Sequence, residues 1–244
     1  MKTTITVFFF LALVALMLAC HQTQPVQVVI VIDPSASTSN IKNSALGIVE
    51  ASLSLPGITK RSRILILGTG DKSTAMEPMQ LGSYPISRAK KVMEGKDANS
   101  KYKAELLQSV SEMLRGVSTT VEVSPIFLAV RRATQYLREQ GCSSGPGMSN
   151  CHLAVVTDLQ ETQETAIRNA LTDEKDFKPQ KNLIIDNTNI SITFCGLAAT
   201  NEITPARNSA RAARLEQVWK SLFKVPDQVS FQPFCPQLTK KGDK

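Results

Sequence analysis

The chain has 244 residues, 42% of them hydrophobic, and 28 Lys and Arg against 21 Asp and Glu leave a formal charge of +7. That supports one large α/β domain, argues against general disorder, and allows two domains without requiring them. Only two histidines, His21 and His152, and no Cys-x-x-Cys argue against a zinc site or a histidine-based triad. The basic clusters at Lys60-Arg61-Ser62-Arg63, Arg88 to Lys91 and Lys240, Lys241 and Lys244 have no interleaved aromatics, so no nucleic-acid partner is expected.

In chain order, Lys2 precedes an apolar run from Ile5 to Leu18 that ends Met17-Leu18-Ala19-Cys20. A positive start, a short apolar core and a small residue before the cut describe an export signal rather than a spanning helix. The cysteine after the cut resembles the lipobox of bacterial lipoproteins, although Met17 stands where Leu is most usual. The resemblance implies a signal at 1–19, a lipidated Cys20 with a tether over 20–25, and membrane attachment through the lipid. A plain signal peptide with Cys20 free, or an uncleaved anchor, is the alternative. In a Gram-negative cell, the absence of Asp at position 21 implies the outer membrane, facing the periplasm.

Val26 to Ile32 is a β-branched run suited to a strand buried on both faces. It ends at Asp33-Pro34-Ser35-Ala36-Ser37, where Pro34 and small polar residues force a loop. A helix is predicted from about Ile41 to Leu53, a second buried strand over Arg63 to Leu67, and a plain turn at Gly68-Thr69-Gly70-Asp71. Gln80 to Ile86 reads as an edge strand because it contains Pro85. Tyr102 to Leu114 is amphipathic and helical. Ser124-Pro125 reads as an N-cap and first position of a helix running to about Glu139. Cys151 to Thr157 is the next strand, ending at Asp158. A short helix follows at Thr165 to Leu171, then a short strand or turn at Asn182 to Ile185. Ile190 to Cys195 alternates as a strand, Ala206 to Phe223 is a helix with Arg207, Arg211 and Arg214 on one face, and Val229 to Phe231 is a last strand.

Strands alternating with helices predict a three-layer α/β/α sandwich, Rossmann-like, with a mostly parallel central sheet and one antiparallel edge strand. The domain is expected over 26–238, with a basic tail at 239–244. Apart from Cys20, four cysteines remain, which allow three pairings. Proximity favours Cys142–Cys151 across a Gly- and Ser-rich loop, and Cys195–Cys235 between late strands.

Asp33-x-Ser35-x-Ser37 after the first strand is similar to the metal-ion-dependent adhesion site (MIDAS) of von Willebrand factor type A (vWA) domains. Ser124-Pro125-Ile126 with Ala129-Val130 resembles that family's Thr-Pro-Ile/Leu-x-x-Ala-Leu segment, with Ser for Thr. Val155-Val156-Thr157-Asp158 resembles its strand ending in Thr-Asp-Gly, with Leu159 in place of the glycine. The resemblance covers roughly residues 26 to 235. It implies a metal site at Asp33, Ser35, Ser37, Ser124 and Asp158, with Thr119 or Thr120 as alternatives to Ser124. The oxygen ligand set suits Mg²⁺, with Mn²⁺ or Ca²⁺ as alternatives. It also implies a non-enzymatic module that takes an acidic residue from a protein partner. Two other readings compete. One is a vWA scaffold part of an envelope secretion or conjugation complex with a degenerate metal site. The other is a cysteine hydrolase resembling isochorismatase, whose nucleophile is missing at Ala198-Ala199-Thr200.

Overall fold

A computed structural model describes residues 25–33, 41–53, 55, 61–69, 79–85, 95–116, 124–142, 151–160, 164–172, 176–196, 205–232 and 235. The elements in order are β1 (Gln27–Ile32), α1 (Ile41–Ser52), β2 (Arg63–Gly68), β3 (Met79–Pro85), α2 (Gly95–Arg115), α3 (Ile126–Leu137), β4 (Cys151–Val156), α4 (Thr165–Thr172), β5 (Ser191–Cys195), α5 (Pro205–Ser221) and β6 (Val229–Gln232). The strands form one sheet in the order β3-β2-β1-β4-β5-β6. All neighbours pair parallel except β3, which runs antiparallel on the edge of β2. Pro85 closes that edge strand opposite Arg63, where its missing N–H costs least.

The period-2 alternation of strand side chains divides the core between the two faces of the sheet. On one face Val29, Val31, Leu153, Val155, Ile192 and Phe194 pack against α3 and α5. Trp219 of α5 lies 5.4 Å from Phe194, which also stacks on Phe231 at 5.1 Å. On the other face Val28, Ile30, Ile32, Ile64 and Ile66 meet Ala45, Leu46, Ile48 and Val49 of α1 and Leu106, Val110 and Leu114 of α2. The fold is therefore an α/β sandwich with helices on both faces of a mostly parallel sheet. β1, in the middle, is buried over its whole length.

Several boundaries differ from those read in the sequence. α2 begins at Gly95 rather than Tyr102, because the sequence Gly95 to Lys101 is almost wholly polar and gives no apolar period to read. α3 gives way after Leu137 to a π-helical turn over Arg138–Cys142 that contains Gly141 at φ 89°. Asn182 to Ile185 is a 3₁₀ turn, Lys181–Leu183, followed by a single bridge from Ile185 to Phe223. That bridge draws Phe223 out of α5, which ends at Ser221. Beside it Asp186 accepts hydrogen bonds from Thr188 and pairs with Lys224 and Arg138, which holds its carboxyl down at about 2.

Both Cys142–Cys151 and Cys195–Cys235 are disulfide-bonded. The first closes the approach from α3 to β4, and the second fixes the end of β5 to the chain beyond β6. Among the described residues, no helix is long and apolar enough to cross a membrane.

Candidate functional site

The strand register builds the site. Ile32 pairs with Gly68 on one side and Val156 on the other, and Val156 pairs in turn with Cys195. The next residues, Asp33, Thr69, Thr157 and Gly196, therefore stand in one row at the carboxyl end of the sheet. Backbone hydrogen bonds extend the ladders by one step to hold that row: Thr69 N to Ile32 O at 3.0 Å, Asp33 N to Val156 O at 2.9 Å, and Thr157 N to Cys195 O at 3.0 Å. The carboxyl end of a parallel sheet is where α/β folds place their ligands.

Asp33 is the hub of this row and is fully buried. Its Oδ1 accepts from Ser124 Oγ at 2.9 Å and, more distantly, from Thr69 Oγ1 at 3.5 Å. Its Oδ2 accepts from Thr157 Oγ1 at 3.0 Å. Three chain segments far apart in sequence thus direct hydroxyls at one carboxylate. A buried carboxylate is tolerated only when it is hydrogen-bonded in this way or bound to a cation.

Asp158, 3% exposed, follows Thr157, and its Oδ1 accepts the Gln160 N–H at 3.0 Å. Between them Leu159 has φ 65°, the left-handed region that favours glycine. Its N–H donates to Thr157 Oγ1 at 3.0 Å, and its carbonyl accepts from Trp219 Nε1 at 3.2 Å. Gly196 at φ 107° lies so close that a Cβ there would stand 2.9 Å from Thr157 O.

The structure thus brings together three predicted residues: Asp33 and Ser124 in direct contact, and Asp158 beside Thr157. Ser35, Ser37, Thr119, Thr120 and Cys20 lie outside the described residues. The helix start is shifted by one residue from the expected one: Pro125 holds the cap position of α3 and makes no side-chain cap bond, and the Ser124 hydroxyl donates to Asp33 Oδ1. Thr69 and Thr157 join the site without standing in any of the three sequence segments' ligand positions. Their signal is that each directly follows a buried strand of a parallel sheet.

Chemically, the row presents hard oxygens alone: two carboxylates and the hydroxyls of Thr69, Ser124 and Thr157. Among the described residues, no group of three or more His, Cys, Asp and Glu side chains clusters, so a cation here would rely on hydroxyls as well as carboxylates. A hydroxyl that donates its proton to a carboxylate still carries lone pairs, which are what Mg²⁺, Mn²⁺ or Ca²⁺ accept. The donor set fits such an ion.

No family model matches the chain, and no curated protein matches it. Among solved structures it is similar to the pilus adhesin SpaC from Lactobacillus rhamnosus GG in its open conformation, with a TM-score of 0.49 and 11% identity over 87% of this chain. It is also similar to the manganese-loaded TRAP protein of Plasmodium vivax, with a TM-score of 0.42 and 14% identity over 78% of this chain. A third is proximal thread matrix protein 1 from the mussel byssus, with a TM-score of 0.44 and 10% identity over 85%. The matches cover 28%, 63% and 43% of those chains respectively.

Proposed function

We propose that this chain is a vWA-type module, non-enzymatic and protein-binding, that captures a partner carboxylate through a divalent cation at the carboxyl end of its sheet. The ligands are Asp33, Ser35, Ser37, Ser124 and Asp158, with Thr69 and Thr157 orienting Asp33. The observation that carries the reading is the convergence of Ser124 and Thr157 hydroxyls on the buried Asp33 carboxylate, with Asp158 next to Thr157. Mg²⁺ is the natural ion, and Mn²⁺ or Ca²⁺ are its substitutes. When bound, the ion supplies an electrophilic position for an external carboxylate. The protein's own part is to hold the oxygens in place and keep the floor of the site dry.

The module occupies residues 26–238, with a basic tail at 239–244, and is exported by the signal at 1–19. It is tethered in the cell envelope by lipid on Cys20. The two disulfides support an oxidising, non-cytoplasmic compartment. The disulfide at Cys195 also leaves that sulfur no role as a nucleophile.

The test is co-purification of the partner from envelope extract with Mg²⁺ present and in excess EDTA. Capture is expected in Mg²⁺ and lost in EDTA, and lost with Asp33→Asn, which keeps the shape of the side chain and removes its charge. Equal capture in EDTA would sink the cation bridge and favour a scaffold role with an incidental site.

A further inference from the structure

We infer that Trp219 is a positioning residue of the Asp33 and Asp158 site: its indole N–H fixes the peptide unit that aims the Asp158 carboxylate. The inference rests on the proposed cation site and adds to it a side chain from α5, outside the row at the end of the sheet.

Two consecutive peptide units lead from β4 into the loop after it, and side chains hold both. The first joins Asp158 to Leu159 and donates its N–H to Thr157 Oγ1 at 3.0 Å. Accepting there, the Thr157 hydroxyl turns its own proton to Asp33 Oδ2, also at 3.0 Å. The second unit joins Leu159 to Gln160. Its carbonyl accepts from Trp219 Nε1 at 3.2 Å, and its N–H donates to Asp158 Oδ1 at 3.0 Å. A peptide unit is planar and rigid, so holding its oxygen sets the direction of its N–H. Trp219 thereby acts on Asp158 through a single plane.

The turn needs that support. Leu159 has φ 65°, a conformation that costs a residue with a Cβ and persists where its surroundings fix it. Leu159 and Trp219 are both 0% exposed. With the indole N–H gone, a buried carbonyl is left without its donor. The plane then rotates to find another and carries the Gln160 N–H off Asp158. Trp219 itself is set firmly. Its ring lies 5.4 Å from Phe194, which pairs with Val155 of β4, and its neighbours Val218 and Leu222 are buried in the same core. Earlier in α5, Arg214 donates through Nε and Nη2 to Ala170 O of α4, which anchors the helix.

The experiment titrates Mn²⁺ into the intact chain, as the wild type and with position 219 altered. Benzothienylalanine at 219 keeps the bicyclic shape and puts sulfur in place of the N–H, and Trp219→Phe removes the donor with a smaller ring. Both are expected to fold by circular dichroism and to take up Mn²⁺ about fivefold more weakly, the share that one neutral hydrogen bond carries. Where Trp219→Phe fails to fold, the benzothienylalanine chain decides. Val218→Ala, which loosens the same helix and leaves the indole donor in place, is expected to melt lower and bind Mn²⁺ as the wild type does. Trp219 is the single tryptophan of the chain, so its indole N–H gives one resonance. That resonance is expected to shift on saturation with Mg²⁺ in the wild type and to stay in place in Asp33→Asn. Unchanged uptake by the benzothienylalanine chain overturns the role of Trp219 and leaves the cation site standing. So does weakening by Val218→Ala equal to that at 219, or a wild-type indole resonance unmoved by Mg²⁺. No Mn²⁺ uptake by the wild type overturns the cation site and the positioning role together.

Discussion

Leu159 combines a left-handed backbone with a fully buried side chain, two features that usually exclude each other. The backbone strain costs on the order of 1 kcal/mol for a residue with a Cβ. Burying the side chain in the core around Trp219 returns about 1.5–3 kcal/mol, so packing outweighs strain. Leu159 therefore holds a glycine-like turn beside Asp158. Leu159→Gly is expected to destabilise the fold by about 1–2 kcal/mol despite relieving the strain, a difference that urea denaturation resolves. A neutral or stabilising Leu159→Gly would show that the side chain contributes little. Asp33, Ser124 and Asp158 were legible in the sequence because each stands at a strand end or just before a helix, in the right order. Thr69 and Thr157 were not, because their roles arise from lateral register, and a strand's sequence does not state which residue lies beside which.

At the level of elements, the two disulfides differ in what they can reach. Cys142–Cys151 closes a separation of 9 residues far from the site, and Cys195–Cys235 closes one of 40 at the site's edge. Chain entropy assigns them about 3 and 4 kcal/mol respectively. The Cys195 carbonyl accepts from Thr157 N, and Thr157 in turn holds Asp33. Replacing Cys195 and Cys235 by Ser is thus expected to lower thermal stability and also weaken Mg²⁺ uptake by the folded protein. Replacing Cys142 and Cys151 should lower stability alone, and calorimetry of both pairs separates the two effects. Equal Mg²⁺ affinity in both variants would break the link between Cys195 and the site. The buried strands were readable because unbroken Val and Ile runs have few other uses in a chain of this composition. The start of α2 was not, since Gly95 to Lys101 is a polar stretch with no apolar period. The hydrogen bond from Ser124 to Asp33 was not readable either, because it spans 91 residues whereas capping is a local rule.

For the molecule as a whole, the sheet order builds the candidate site. Placing β1 in the centre gives Asp33 neighbours on both sides, and only then can hydroxyls from β2, from the turn before α3 and from β4 meet one carboxylate. The alternation of strands and helices predicted the sandwich, but the sequence alone could not say that the three segments converge. The most direct measurement is isothermal titration of Mn²⁺ into the intact chain and into Asp33→Asn, with circular dichroism to verify that the variant is folded. A cation site built on Asp33 requires one Mn²⁺ per wild-type chain, displaced by Mg²⁺, and at least tenfold weaker uptake by the folded variant. Equal uptake by both proteins, or none by the wild type, would contradict it.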